Sequence, residues 1–166
     1  MHIAILHDIM YRTRFDCTFY DILDSTTKFN VEAIVDSGCA NTLLPLWAAV
    51  RCGGLALPLK RVINIAGNSR EAQAYIIPKF EFGGYQATDA FVYAAGFEKE
   101  LENRMLLCLN VLNNLRHTID RVKGQFEFIE CLPNSIPNKS FPYRNYFDDF
   151  GNYVMLGDDI IEMAAQ

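Results

Sequence analysis

The segment Ala33-Ile34-Val35-Asp36-Ser37-Gly38 places an acidic residue directly after an apolar run. A carboxylate at the end of a strand is held rigidly. The hydroxyl that follows can hydrogen-bond nearby backbone, and the glycine lets chain or ligand approach closely. Such a carboxylate can work as a general acid or base. The tripeptide alone is a weak signal, because Asp-Ser/Thr-Gly arises by chance in roughly one chain of this length in ten at average residue usage. By itself it reads as an Asx turn closing a strand. The other acids do not compete for the role. Asp89, Asp120 and the pairs Asp148-Asp149 and Asp158-Asp159 neither follow an apolar strand nor precede Ser/Thr-Gly. The two pairs read as solvated turns.

Other chemistries find less support. No Ser or Cys lies in a nucleophile motif with a histidine partner. No glycine-rich loop opens a helix, which disfavours a phosphate-binding fold. The histidines are His2, His7 and His117, with no pair at metal-ligand spacing. The cysteines are Cys17, Cys39, Cys52, Cys108 and Cys131, an odd number with no CxxC. A zinc site and a disulfide framework are both disfavoured. Reduced thiols in a cytoplasmic protein are expected, with no metal and no cofactor.

The elements that must position Asp36 are mostly strands. Tyr11, Thr13, Phe15, Cys17 and Phe19 alternate with Arg12, Arg14, Asp16, Thr18 and Tyr20, the period of a half-buried strand. Phe29 to Val35 predicts a second strand that turns apolar toward Asp36. Pro45 to Cys52 predicts a short helix stopped by Gly53-Gly54. Strands are expected at Arg61 to Ala66 and Glu71 to Phe82, bent at Gly67-Asn68. Gly83-Gly84 joins Phe82 to another strand, Tyr85 to Tyr93. Met105 to Leu107 is a short apolar strand, and Asn110 to Leu115 reads as one or two helical turns. His117 to Asp120 and Gln125 to Ile129 pair across Lys123-Gly124. Beyond Cys131, three prolines and the aromatics Phe141, Tyr143, Tyr146, Phe147 and Phe150 suggest an ordered arm, with a last strand at Tyr153 to Leu156.

A chain of 166 residues, 51% hydrophobic and 21% charged, fits one globular domain rather than a disordered or coiled-coil protein. A net charge of -5 with no Lys/Arg block argues against nucleic acid. The longest apolar run, Leu43 to Val50, is interrupted by Pro45 and too short to span a bilayer, and no basic segment with an apolar core opens the chain.

Read together, Asp36-Ser37-Gly38, the Ala40-Asn41-Thr42-Leu43-Leu44-Pro45 stretch, Met105-Leu106-Leu107-Cys108-Leu109-Asn110-Val111-Leu112 and the strands after them form an ordered set. Over about residues 28 to 130 the chain resembles the single-domain retropepsin-like aspartic peptidases. Members carry apolar-apolar-Asp-Thr/Ser-Gly, then a flap hairpin, then apolar-apolar-Gly leading into a short helix. The resemblance implies a mainly β fold, a small closed barrel with one or two short helices, over residues 1–130. Residues 131–166 would be a C-terminal arm or extension. It implies an aspartic endopeptidase acting on a peptide or protein substrate. Asp36 would be catalytic, Ser37 and Gly38 would support its loop, and Ala66, Gly67 and Asn68 would form the tip of the substrate-binding flap. Two facing carboxylates share one proton, so one activates water while the other polarises the scissile carbonyl. The chain has one Asp-Ser-Gly, so the second carboxylate must come from a second copy, as a homodimer. Cys108 stands where the family usually has glycine, and Cys39 where it usually has alanine. Cys108 keeps a second reading open: a peptidase-like dimeric module that binds peptide or assembles a complex without cleaving.

Overall fold

The computed structural model describes residues 14–65, 68–82, 85–96, 102–113, 115–120, 125–131, 140–142 and 145–166. The alternation read from the sequence is real in β1 (Arg14–Tyr20): Cys17 and Phe19 are fully buried, whereas Asp16 is exposed. The start of that predicted strand, Tyr11 to Thr13, lies outside the described residues. β1 folds back antiparallel on β2 (Lys28–Val35), in a register that puts Phe19 beside Phe29 and Cys17 beside Val31. The turn between them is closed by Asp24, whose carboxylate accepts from the Thr26 amide and from the Thr26 and Thr27 hydroxyls. Its final residues Ala33, Ile34 and Val35 are buried without alternation, as expected of a strand covered on both faces.

β3 (Leu43–Pro45) and α1 (Leu46–Arg51) follow the Asp36 loop. The helix ends as the glycine pair predicts. Gly53 has φ +77°, its amide donates to the Val50 carbonyl at 3.1 Å, and the Gly54 amide donates to Ala49 at 2.8 Å. This Schellman arrangement needs a left-handed residue that glycine supplies without a Cβ penalty.

β4 (Leu55–Ile65) and β5 (Asn68–Phe82) form a long antiparallel hairpin, and β6 (Tyr85–Ala95) returns along β5. β7 (Arg104–Leu107) then runs parallel to β2, pairing Val35 with Leu107. Six strands close a ring in the order β1-β2-β7-β3-β6-β5 and back to β1, where Phe19 meets Phe80. Closure leaves only β4 and β10 (Ser140–Pro142) at the margins of this sheet, which removes most of the unpaired edge. The chain is thus a mainly β, closed-barrel protein. Among the described residues it has three short helices, one more than the largest number expected.

Stacked phenylalanines bind the ring together: Phe19 lies 5.5 Å from Phe29 and 5.3 Å from Phe80 between ring centroids. β6 divides the core. Ala90, Val92 and Ala94 face one buried cluster with Phe19, Phe80 and Met105, while Phe91, Tyr93 and Ala95 face a second with Leu43, Leu57 and Ile76. That second cluster is completed by the chain's last part: β11 (Asn145–Phe147), β12 (Tyr153–Met155) and α3 (Asp158–Ala165). Tyr146 stacks on Phe91 at 4.3 Å, Leu156 is buried, and Ile160, Ile161 and Ala164 pack against the cluster.

Several local expectations are corrected. The second helix, α2 (Leu109–Leu112), starts one residue early and ends before Leu115, which already opens β8 (Leu115–Asp120). β8 pairs with β9 (Gln125–Cys131) as a separate ribbon. β4 begins at Leu55, six residues before the predicted start, because an irregularity between Ala56 and Lys60 accommodates Pro58. Asp158 and Asp159 occupy the first turn of α3 rather than a loop, a place where the helix dipole favours negative charge.

Candidate active site

Asp36 leaves the end of β2 where β2 and β7 lie side by side. Its amide donates to the Leu107 carbonyl at 2.9 Å, so the residue is anchored to the neighbouring strand. One carboxylate oxygen accepts the Gly38 amide at 2.9 Å, and the Asp36 carbonyl accepts the Cys39 amide at 3.2 Å. The turn Asp36–Cys39 therefore closes on its own acid. Asp36 and Ser37 are half-buried and Gly38 is exposed. The sequence-predicted Asp36, Ser37 and Gly38 are thus one tight loop.

A second loop supports the first. Cys108 follows β7 and opens α2. The Leu109 amide donates to the Cys39 carbonyl and the Asn110 amide to the Ala40 carbonyl, both at 3.0 Å. Asn110 is fully buried. Its Oδ1 accepts from both the amide and the hydroxyl of Thr42 at 2.8 Å, and its Nδ2 donates to the Phe91 carbonyl at 2.9 Å. The Thr42 hydroxyl in turn accepts the Cys108 amide at 3.1 Å. Burying so many polar groups costs little only because they satisfy one another. The cysteine at position 108 is fully buried inside this lattice, so the loop accommodates a side chain there with its hydrogen bonds intact. Burial pushes its thiol well above the ordinary cysteine value, and the neighbouring Cys39 thiol adds to the effect.

Beside the Asp36 loop opens a cleft of about 210 Å³. One wall is Cys39, Ala40, Asn41 and Leu43; Arg61, Ile63 and Asn64 of β4 and Tyr93 of β6 complete it. The β4 arm of the β4–β5 hairpin and the residues after Asp36 therefore share one cavity. Of the expected flap tip, Ala66 and Gly67 lie outside the described residues, and Asn68 opens β5 paired with Ile65. Burial raises the Tyr93 phenol, while nearby Arg61 draws it the other way.

The last part of the chain reaches this same rim. The buried Asn41 side chain donates from Nδ2 to the Phe147 carbonyl at 2.8 Å and accepts the Phe147 amide at 2.7 Å, as a paired strand would. Arg61 holds Asp149 through Nε at 3.0 Å and Nη2 at 2.6 Å, with its guanidinium 5.1 Å from the Tyr93 ring centroid. The Tyr153 hydroxyl donates to the Asn110 carbonyl at 3.1 Å. Asn41, Thr42, Arg61 and Asn110 carried no role in the sequence reading. A polar Asn-Thr pair followed by Leu-Leu-Pro, and an asparagine inside the apolar Leu106 to Leu112 run, were the available signals.

A family model described as "Aspartyl protease" matches residues 24–111, which include Asp36, the hairpin, Cys108 and Asn110. No curated protein matches the chain. Among solved structures, a retropepsin-like aspartic protease from Rickettsia conorii is similar at 14% identity and a TM-score of 0.48, over 66% of this chain and 77% of that one. The retroviral protease-like domain of Ddi1 from Leishmania major is similar at 17% identity and a TM-score of 0.47, over 75% of this chain and 96% of that one.

Proposed function

Because the chain belongs to the aspartyl protease family, we propose that it is an endopeptidase in which Asp36 from each of two copies forms the catalytic pair. The observation that carries this reading is the setting of Asp36. Its amide is tied to β7 and its carboxylate to the Gly38 amide, with the cleft opening beside it. A carboxylate held so firmly loses little freedom on reaching the transition state. Asp36 is the chain's single Asp-Ser-Gly acid, so a second copy must bring its partner across a two-fold axis.

The pair holds one proton between two facing carboxylates, because like charges at that separation cannot both ionise. The ionised member takes a proton from water as the water attacks the peptide carbonyl. The protonated member donates to the carbonyl oxygen, and the proton then passes to the leaving amine. The pair titrates as a unit, so neither copy owns a fixed role. The β4–β5 hairpin, whose Ile63 and Asn64 line the cleft, would close over an extended substrate and pair with its backbone.

The decisive experiment is digestion of a peptide library at acidic and neutral pH, with and without a transition-state-mimicking inhibitor, over a dilution series. Inhibitable cleavage whose specific activity falls on dilution supports a dimeric aspartic peptidase. Cleavage by a strict monomer overturns the two-copy site. No cleavage at any pH, together with saturable peptide binding, supports the non-cleaving module instead. The accommodation of Cys108 without loss of loop hydrogen bonds favours the enzyme.

A further inference from the structure

Cys39 and Cys108 stand on the two loops that meet at Asp36, and the Cys39 thiol is a close neighbour of the Cys108 thiol. Each thiol also rests on a backbone oxygen of its own loop, Cys39 on Asn41 at 3.1 Å and Cys108 on Leu106 at 3.4 Å. The backbones are fixed close together, since the Cys39 carbonyl accepts the Leu109 amide at 3.0 Å. That bond puts Cys39 beside the residue next to Cys108, and hydrogen-bonded chains run about 5 Å apart, which brings the pair into the range of the roughly 4.4–6.8 Å between Cα atoms that a disulfide spans. Cys39 lines the cleft, whereas Cys108 is fully buried behind it.

We propose that Cys39 and Cys108 are a modification site: a thiol pair that a small-molecule disulfide, such as oxidised glutathione, converts reversibly to an intrachain disulfide. Cys39, reached through the cleft, gives up its proton and attacks one sulfur of the oxidant. The oxidant's S–S bond breaks, and one small thiol leaves carrying that proton. A mixed disulfide remains on Cys39. Cys108 then loses its proton and attacks the Cys39 sulfur, the new S–S bond forms, and the second small thiol leaves. Two electrons pass from the protein thiols to the oxidant, which departs as two thiols. Because burial keeps Cys108 protonated, this second step is the slow one and quickens as pH rises.

Closing the bond takes both sulfurs off the carbonyls they now hold. The Leu106 attachment lies one residue from the Leu107 carbonyl, and the Asn41 attachment two residues from the Cys39 amide, the two groups that anchor Asp36. If Asp36 is the catalytic acid, which rests on the function proposed above, the oxidised protein loses activity on the order of tenfold to a hundredfold, the cost of a small misplacement. A thiol reductant restores it.

The test uses the unaltered protein in glutathione buffers of rising oxidised fraction. Acid quenching, alkylation under denaturing conditions and tryptic mapping follow. Each cysteine falls in a different tryptic peptide, with Cys39 in Phe29–Arg51 and Cys108 in Met105–Arg116. The expected product is these two peptides linked and two hydrogens lighter than their sum, separated by reductant. A Cys39–glutathione adduct beside an alkylated Cys108 overturns the proposal. So does a bridge from either residue to Cys17, Cys52 or Cys131, or full alkylation of both. The mapping does not depend on peptide cleavage, so failure of the peptidase reading leaves it standing.

Discussion

Asn110 grips Thr42 twice across 68 residues of sequence, its Oδ1 accepting both the amide and the hydroxyl at 2.8 Å. With the bond from its Nδ2 to Phe91, one side chain ties the residues after Asp36 to α2 and to β6. Asn110→Ala leaves the Thr42 amide, the Thr42 hydroxyl and the Phe91 carbonyl buried without that partner. Each orphaned group costs about 1–3 kcal/mol, and because the three act as a network the total should be on the order of 3 kcal/mol. Urea denaturation should show the midpoint falling accordingly. A loss under 1 kcal/mol would mean that water enters and takes the place of the amide.

Asp36→Asn keeps an oxygen to accept the Gly38 amide but removes the ionisable group. Cleavage should fall by roughly a thousandfold or more, since general acid and base are lost together. The urea midpoint should change little. Asp158→Asn, an exposed change in the first turn of α3, should leave cleavage alone and shift stability by no more than about 0.5 kcal/mol. Retained cleavage in the Asp36 variant would remove this residue from the chemistry.

The barrel strands and the Asp36 loop were legible because their signals are local. Period-2 alternation in β1, apolar runs ending at Asp36 and Cys108, and glycine pairs at turns depend on near neighbours only. The support of the loop was not legible. Asn110 is chosen by Thr42 and Phe91, partners far along the chain, and a lone asparagine in an apolar run announces burial without naming what satisfies it. The arm's aromatics and its last strand were legible, but the place where they pack was not, for a related reason. Ala90 to Ala95 is buried at every position, so its second face needs a cover, yet nothing in that run says that Tyr146, Leu156 and α3 supply it. Strands as short as β3 and β11 have too few residues to show a period.

The β1–β2 turn carries a pH dependence of definite sign. The Arg51 side chain bonded to Asp21 at 2.9 Å, with the Leu23 amide, holds the Asp21 carboxyl below the usual range. The folded state therefore prefers the ionised form more than the unfolded chain does, whose aspartates titrate near about 3.9. The stability this contributes is complete above the unfolded value and is lost as pH falls through the depressed folded one. Asp21→Asn should lower the urea midpoint at pH 6 and make a smaller difference at about pH 3, where aspartates gain protons. A difference that grows on acidification would assign Asp21 a different role.

Asn41 treats Phe147 as a neighbouring strand would, giving its Nδ2 hydrogen to the carbonyl and taking the amide hydrogen on Oδ1. This places the β11–β12 hairpin against the rim of the cleft, where Arg61 holds Asp149 as a second point of attachment. Asn41→Ala removes the first attachment and leaves the second. The destabilisation should be about 1–2 kcal/mol, because the Phe147 groups are partly exposed and regain water. Hydrogen exchange localises the effect. The Phe147 amide should exchange on the order of tenfold faster, the response of a local opening that has lost about 1.4 kcal/mol. The Asp36 amide, bonded to Leu107 within the barrel, should exchange at its former rate. If Phe147 stays equally protected, the stacking of Tyr146 on Phe91 and the burial of Leu156 hold the hairpin by themselves, and Asn41 serves the cleft alone.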